Sequence, residues 1–186
     1  MDIEQMTRKL RNSLEPKRFE HSLGVMDTAV KLAECYNADT EKARIAGLLH
    51  DCAKNHSKDE LFNLCTKYNI CLDDVAQREA GLLHGFVGAY LLKDEYGIED
   101  AEIFDAVYYH TIGKPDMPLL TKIIFIADCI EPMRMAPWVD EIRQEVYTDI
   151  DRALIIQLDN TIRSVLKKGT LLHTNTIDTR NFYLKK

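Results

Sequence analysis

The 186-residue sequence contains no apolar stretch approaching the ~20 residues needed to span a bilayer. Its five cysteines (Cys35, Cys52, Cys65, Cys71 and Cys129) are odd in number and show no C-x-x-C spacing, which excludes a disulfide framework and a zinc knuckle. They read as reduced core residues, including Cys52 and Cys129, which each follow an aspartate singled out below. Basic residues are in deficit, 24 Lys and Arg against 30 Asp and Glu, for a net charge of −6. With no basic stripe interleaved with aromatics, this argues against a nucleic-acid-binding surface, while a small anionic substrate held by local cations stays compatible. Internal repeats, low-complexity tracts and flexible linkers are also missing, so residues 1–186 are expected to form a single domain. The polar start Met1-Asp2-Ile3-Glu4-Gln5 predicts no signal peptide, and a cytoplasmic protein is expected.

What is present is helical periodicity. No alternating run is long enough for a strand, and the fold class expected is an all-α, single-domain helical bundle. Asp2 caps a helix carrying Ile3, Met6, Leu10 and Leu14, which stops before Pro16. A second runs from about Pro16 to Tyr36, with Phe19, Leu23, Met26 and Val30 on one face and His21, Val25, Thr28 and Leu32 on another. Asp39 or Thr40 caps a third that ends at His50-Asp51, and Ser57-Lys58-Asp59-Glu60 has the form of a capping box opening a fourth. Helical pattern then extends from about Asp74 to Tyr96, with a break near Gly81–Gly85 and Gly97 as its stop, and again from Asp100 towards Gly113. A strongly apolar helix with Leu120, Ile123, Ile124 and Ala127 ends at Pro132, and Asp128 is its only charged inward candidate. The segment Glu131–Thr148 reads as an irregular crossing or a short helix. A long helix follows from Asp149 to Lys168, and a short one after Thr176.

The most informative feature is the His50-Asp51 doublet at the end of Ala46-Gly47-Leu48-Leu49. Neighbours diverge by ~100° on a straight helix, so both can meet one ion only at a helix end or corner. His21 and Asp128, also polar on apolar helices, complete a mixed nitrogen and oxygen donor set drawn from three helices. Such donors suit iron, manganese or zinc. Each residue alone has a plainer reading, a backbone-bonded buried histidine or a capping aspartate. Their co-occurrence in this order is what points to a metal-dependent hydrolase.

This ordered set resembles the HD-domain superfamily of metal-dependent phosphohydrolases, whose signature is a helix histidine, a His-Asp doublet and a later aspartate. Closer similarity is to the bacterial YqeK-type family, through Arg18–Val25, Gly47–Lys54, Leu83-His84-Gly85, Tyr109-His110-Thr111, Ala127–Arg134, Asn175-Thr176-Ile177 and Arg180-Asn181. The resemblance implies a symmetrical bis(5'-nucleosyl)-tetraphosphatase that hydrolyses diadenosine tetraphosphate to two ADP. It implies His21, His50, Asp51 and Asp128 as metal ligands, iron being the favoured ion over manganese or zinc, and leaves a second metal open. Asp51 would contact the attacking water or bridge to that second ion. The alternatives on the same scaffold are a hydrolase of nucleoside monophosphates or cyclic nucleotides, and a nucleotide-binding sensor without turnover.

His84 and His110 are the next candidates, either as ligands of a second ion or, the preferred reading, as phosphate contacts. Lys54 and Arg134 could hold phosphate oxygens, against the plainer readings of a solvated cation and an ion pair with Glu131 or Asp140. Gly24 could let the nucleotide approach beside His21. The resemblance assigns Thr170–Asn175, including Thr170 and Asn175, to the nucleotide pocket. His173 and His56 are expected to be solvent-exposed. Trp138 with Met133, Met135 and Pro137 reads either as core packing or as a patch for homodimer formation.

Overall fold

In the computed structural model, which describes residues 1–186, helices start where capping residues satisfy the free N–H groups of a first turn. Asp2 accepts the Gln5 N–H and the Gln5 side chain returns to Asp2, opening α1 (Ile3–Ser13). Pro16 sits in the first turn of α2 (Pro16–Cys35). Asp39 caps α3 (Thr40–Leu49), and Ser57 with Glu60 forms a second capping box at α4 (Lys58–Lys67). The chain continues through α5 (Leu83–Tyr96), α6 (Ala101–Tyr109), α7 (Leu119–Ile130), α8 (Val139–Glu145), α9 (Ile150–Lys168) and α10 (Thr174–Tyr183). Gly97 and Gly169 close α5 and α9 at φ 71° and 66°, the left-handed geometry that glycine adopts without a Cβ penalty. No strand is present, as the periodicity requires. No helix is long and apolar enough to cross a membrane.

Two local expectations change. The helix anticipated from Asp74 begins only at Leu83, after a 3-10 turn at Ala80–Leu82. The Asp73 side chain accepts the Ala76 N–H at 2.8 Å, a local bond that competes with helix propagation. On α2 the deeper stripe is Val25, Ala29 and Leu32, fully buried, while Leu23, Met26 and Val30 are only partly covered. The helix packs against both α3 and α7, so both of its apolar flanks are covered, as its two stripes predict.

One apolar cluster runs from Met6 to Tyr183, and α7 lies at its centre with Ile123, Ile124, Ile126 and Ala127 fully buried. Each large side chain so enclosed contributes about 1.5–3 kcal/mol relative to exposure. Gly47 sets how closely α3 lies on α2. A Cβ at this position would stand 2.8 Å from Met26 Cα, a backbone atom that cannot swing aside. The contact places the C-terminal end of α3, and with it the doublet, beside the α2 segment that carries His21. Gly47→Ala is expected to destabilise the fold by about 1–3 kcal/mol, read as a lower urea midpoint at constant slope; an unchanged midpoint would show that the two helices separate freely.

Candidate metal centre

His50 closes α3 and the chain then turns by short-range bonds, Cys52 N–H to Leu49 O at 3.0 Å and Lys54 N–H to Asp51 O at 2.9 Å. This tight winding lets the adjacent His50 and Asp51 face one centre, which a straight helix forbids. His21 reaches it from α2, Asp128 from α7, His84 from the first turn of α5 and His110 from the end of α6. His21 Nε2 lies 3.0 Å from Asp128 Oδ1, and His50 Nε2 lies 3.7 Å from Asp51 Oδ2 and 4.0 Å from Asp128 Oδ1. Asp51 Oδ1 is 3.0 Å from His84 Nε2 and 3.5 Å from His110 Nε2. Four imidazoles thus form a continuous edge-to-face row, His21, His50, His110 and His84, with centroids 5.1–5.3 Å apart.

Backbone bonding decides what these rings present. His50, His84 and His110 each donate Nδ1–H to the carbonyl three residues earlier, Gly47 at 2.8 Å, Gly81 at 2.6 Å and Val107 at 2.7 Å. A carbonyl can only accept, so each neutral ring carries its lone pair on Nε2, pointing at the centre. Burial holds the His50 pKa down at about 4, and burial together with the Lys54 ammonium lowers that of His84. Burial would raise Asp51, yet the charge that His50 would carry if protonated, and the bonds that His110 and His84 would then donate, hold its carboxyl well below the usual range. Asp128 is likewise depressed, against its burial, by His21, His50 and Arg134. His21 differs: burial lowers its pKa, but Asp128 and Glu131 outweigh that and leave it raised.

The donors fit a cation. His50 Nε2 and Asp51 Oδ1 are buried without a hydrogen-bond partner, and donor atoms of His21, His50 and Asp51, of His50, His110 and Asp128, and of Asp51, His84 and His110 fall into three tight trios. Lone pairs facing carboxylates repel one another unless positive charge lies between them. Two of the chain's own cations partly supply it. Lys54 Nζ donates to His84 Nε2 at 2.9 Å and lies 3.4 Å from Asp51 Oδ1. On the other side Arg134 Nη2 meets Asp128 Oδ1 at 2.5 Å, with Nε donating to the Asp128 carbonyl at 2.8 Å.

Glu131 is a participant that pattern reading passed over except as an ion-pair partner. It is 1% exposed, its Oε1 accepts from His21 Nδ1 at 3.1 Å and its Oε2 from the Met133 N–H at 2.7 Å. Its position straight after an apolar helix and three residues beyond Asp128 was the available signal. Gly24 makes room for it: a Cβ there would stand 2.8 Å from Glu131 Oε2, so the space expected for a nucleotide holds this carboxylate. Gly85 similarly admits His110, whose Cε1 would lie 3.3 Å from an added Cβ.

Other candidates lie outside the cluster. Thr170 is exposed, and the Asn175 side chain donates to Gly113 O at 3.3 Å. His173, expected at the surface, is 7% exposed, because its Nδ1 caps α10 by accepting the Asn175 N–H and its Nε2 sits 3.0 Å from Asp73 Oδ2. Arg134 pairs with Asp128 and Glu131, whereas Asp140 is taken by Arg143. Cys52 and Cys129 are buried, and burial pushes the Cys52 thiol up to about 12. If His21 holds an ion, the carboxylate behind it would fix its ring and raise its basicity, so Glu131→Leu is expected to weaken metal binding about 10–100-fold. Competition against a chromophoric chelator measures this, and undiminished affinity would remove Glu131 from the centre.

The chain is 42% identical over 168 residues to the symmetrical bis(5'-nucleosyl)-tetraphosphatase of Halalkalibacterium halodurans, covering 90% of this chain and 89% of the relative. It is 39% identical over 182 residues to the protein of that name from Bacillus subtilis, covering 98% and 97%. The crystal structure of a protein from Clostridium acetobutylicum, described as a predicted HD superfamily hydrolase involved in NAD metabolism, superposes with a TM-score of 0.97 at 48% identity, covering 100% of this chain and 98% of that one. The HD domain family model matches residues 18–133, the stretch that carries every histidine and aspartate of the cluster, and the chain belongs to that family.

Proposed function

We propose that the chain is a metal-dependent hydrolase that cleaves diadenosine tetraphosphate symmetrically to two ADP, with residues 1–186 acting as one domain. The supporting observation is the convergence of six histidine and aspartate side chains around two buried polar atoms without partners, in a chain about 40% identical over nearly its whole length to relatives of that named activity. Those names do not favour the monophosphate, cyclic-nucleotide or sensor readings.

His21, His50, Asp51 and Asp128 would hold the ion, iron being favoured among the first-row metals that accept nitrogen and oxygen donors. When bound, such an ion lowers the pKa of a water and draws charge from a phosphoryl oxygen. Asp51 Oδ1, which lacks a hydrogen-bond partner, accepts from the attacking water and orients it towards an inner phosphorus of the tetraphosphate chain. Overall one water is consumed: its oxygen joins phosphorus, the bridging P–O bond breaks, and ADP leaves from each side. Lys54 and Arg134 flank the cluster at opposite ends and can each engage a phosphate oxygen, Arg134 through a planar fork. His84 and His110 suit a cation better than a phosphate, since their inward nitrogens carry lone pairs; Lys54 or a second ion would face them. Thr170 and Asn175 would contact the other nucleoside of the dinucleotide.

Metal-loaded protein incubated with diadenosine tetraphosphate is expected to give ADP as the sole adenine product on anion-exchange chromatography. AMP plus ATP would contradict symmetrical cleavage. Asp51→Ala is expected to reduce turnover by more than about a hundredfold, and residual activity equal to that of the unsubstituted protein would place the chemistry elsewhere.

A further inference from the structure

Beside the metal centre lies a cavity of about 420 Å³ whose lining includes Asp128, Met133, Arg134, Trp138, Val139 and Gln157. Asp128 and Arg134 belong to the cluster just described, so the cavity opens from the site where phosphate would sit. Its other walls have different chemistry. Trp138, half-buried at the start of α8, supplies a broad aromatic face, and Met133 adds a polarisable thioether. Gln157 of α9 donates from Nε2 to Thr161 Oγ1 at 3.3 Å, while its Oε1 is buried with no hydrogen-bond partner. An unpaired amide oxygen costs free energy until a donor reaches it.

From these features we infer a nucleobase seat: Trp138 and Met133 take the face of an adenine, and Gln157 Oε1 accepts from its exocyclic amino group. This deepens the hydrolase reading and rests on it, assigning base recognition to α8 and α9. The volume suits one nucleoside, leaving the polyphosphate to run back past Arg134 to the cluster. A flat apolar ring beside an amide satisfies both requirements of a base, stacking on its face and hydrogen bonding at its edge. Hypoxanthine presents a carbonyl where adenine presents the amino group, and so sets an acceptor against an acceptor.

Trp138 is the only tryptophan, and its fluorescence therefore reports the seat directly. Titrating metal-loaded protein with ADP is expected to give a saturable change in emission, with IDP binding about tenfold more weakly. Gln157→Leu, and Gln157→Met as the volume-matched alternative, are expected to erase that preference. Should ADP leave the emission untouched while diadenosine tetraphosphate is still cleaved to ADP, the base binds elsewhere and the seat is overturned, but the activity stands. Equal affinity of the unsubstituted protein for ADP and IDP would also overturn it, whatever the variants do. Loss of both ADP binding and cleavage would defeat the hydrolase reading and this one together.

Discussion

The bond from each Nδ1–H of His50, His84 and His110 to the carbonyl three residues earlier is the constraint from which the remaining site geometry follows. It selects one tautomer in three rings and aims three lone pairs inward at Asp51 and Asp128. Burial reinforces the choice, since the lost hydration of a charged His50 ring outweighs the pull of Asp51 and Asp128 on its proton. The result is a core region that is electron-rich on every side. Hydrophobic packing around it cannot relieve that repulsion; only positive charge can, and the fold offers Lys54 and Arg134 at its margins while leaving the centre to an ion.

Holding such a centre together requires that five separate segments approach closely. Gly47 draws α3 onto α2, Gly85 lets the end of α6 reach α5, and Gly24 admits Glu131 behind His21. The buried isoleucines of α7 brace the helix that presents Asp128. An ion bound by side chains from α2, α3 and α7 would tie these helices to one another, so occupancy would add to stability by mass action. Glu131 and Arg134 both come from the turn immediately after α7, which therefore serves as ligand support on one side and as cavity wall on the other.

The helices were legible because capping chemistry is local. Asp2, Asp39, Ser57, Asp100 and Asp149 each bond the first turn of the helix that follows them. The cluster residues stood out because imidazole and carboxylate on apolar faces conflict with ordinary burial. What the pattern could not give was anything set by distant contact. Glu131 lies within the Ala127–Arg134 stretch that carries the resemblance but had no role there, and its meaning depends on His21 being 110 positions away in the chain yet 3.1 Å away in space. His173 looked like a loop residue until its pairing with Asp73 became visible. The late start of α5 depends on a side-chain bond from Asp73 that periodicity does not register. The small size of Gly24 is plain in the sequence, but the neighbour that fills its space, Glu131, arrives from beyond α7.

Cys52 and Cys129 stand next to two aspartates of the cluster, yet burial keeps both sulfurs protonated. No sulfur belongs to the clustered donor atoms, Cys52 Sγ being turned to the Gly88 carbonyl at 3.7 Å, so the centre presents only hard and borderline donors. An ion seated there would therefore be chosen by nitrogen and oxygen alone, while the burial that keeps the two sulfurs protonated denies oxidants the ionised thiolate they attack fastest.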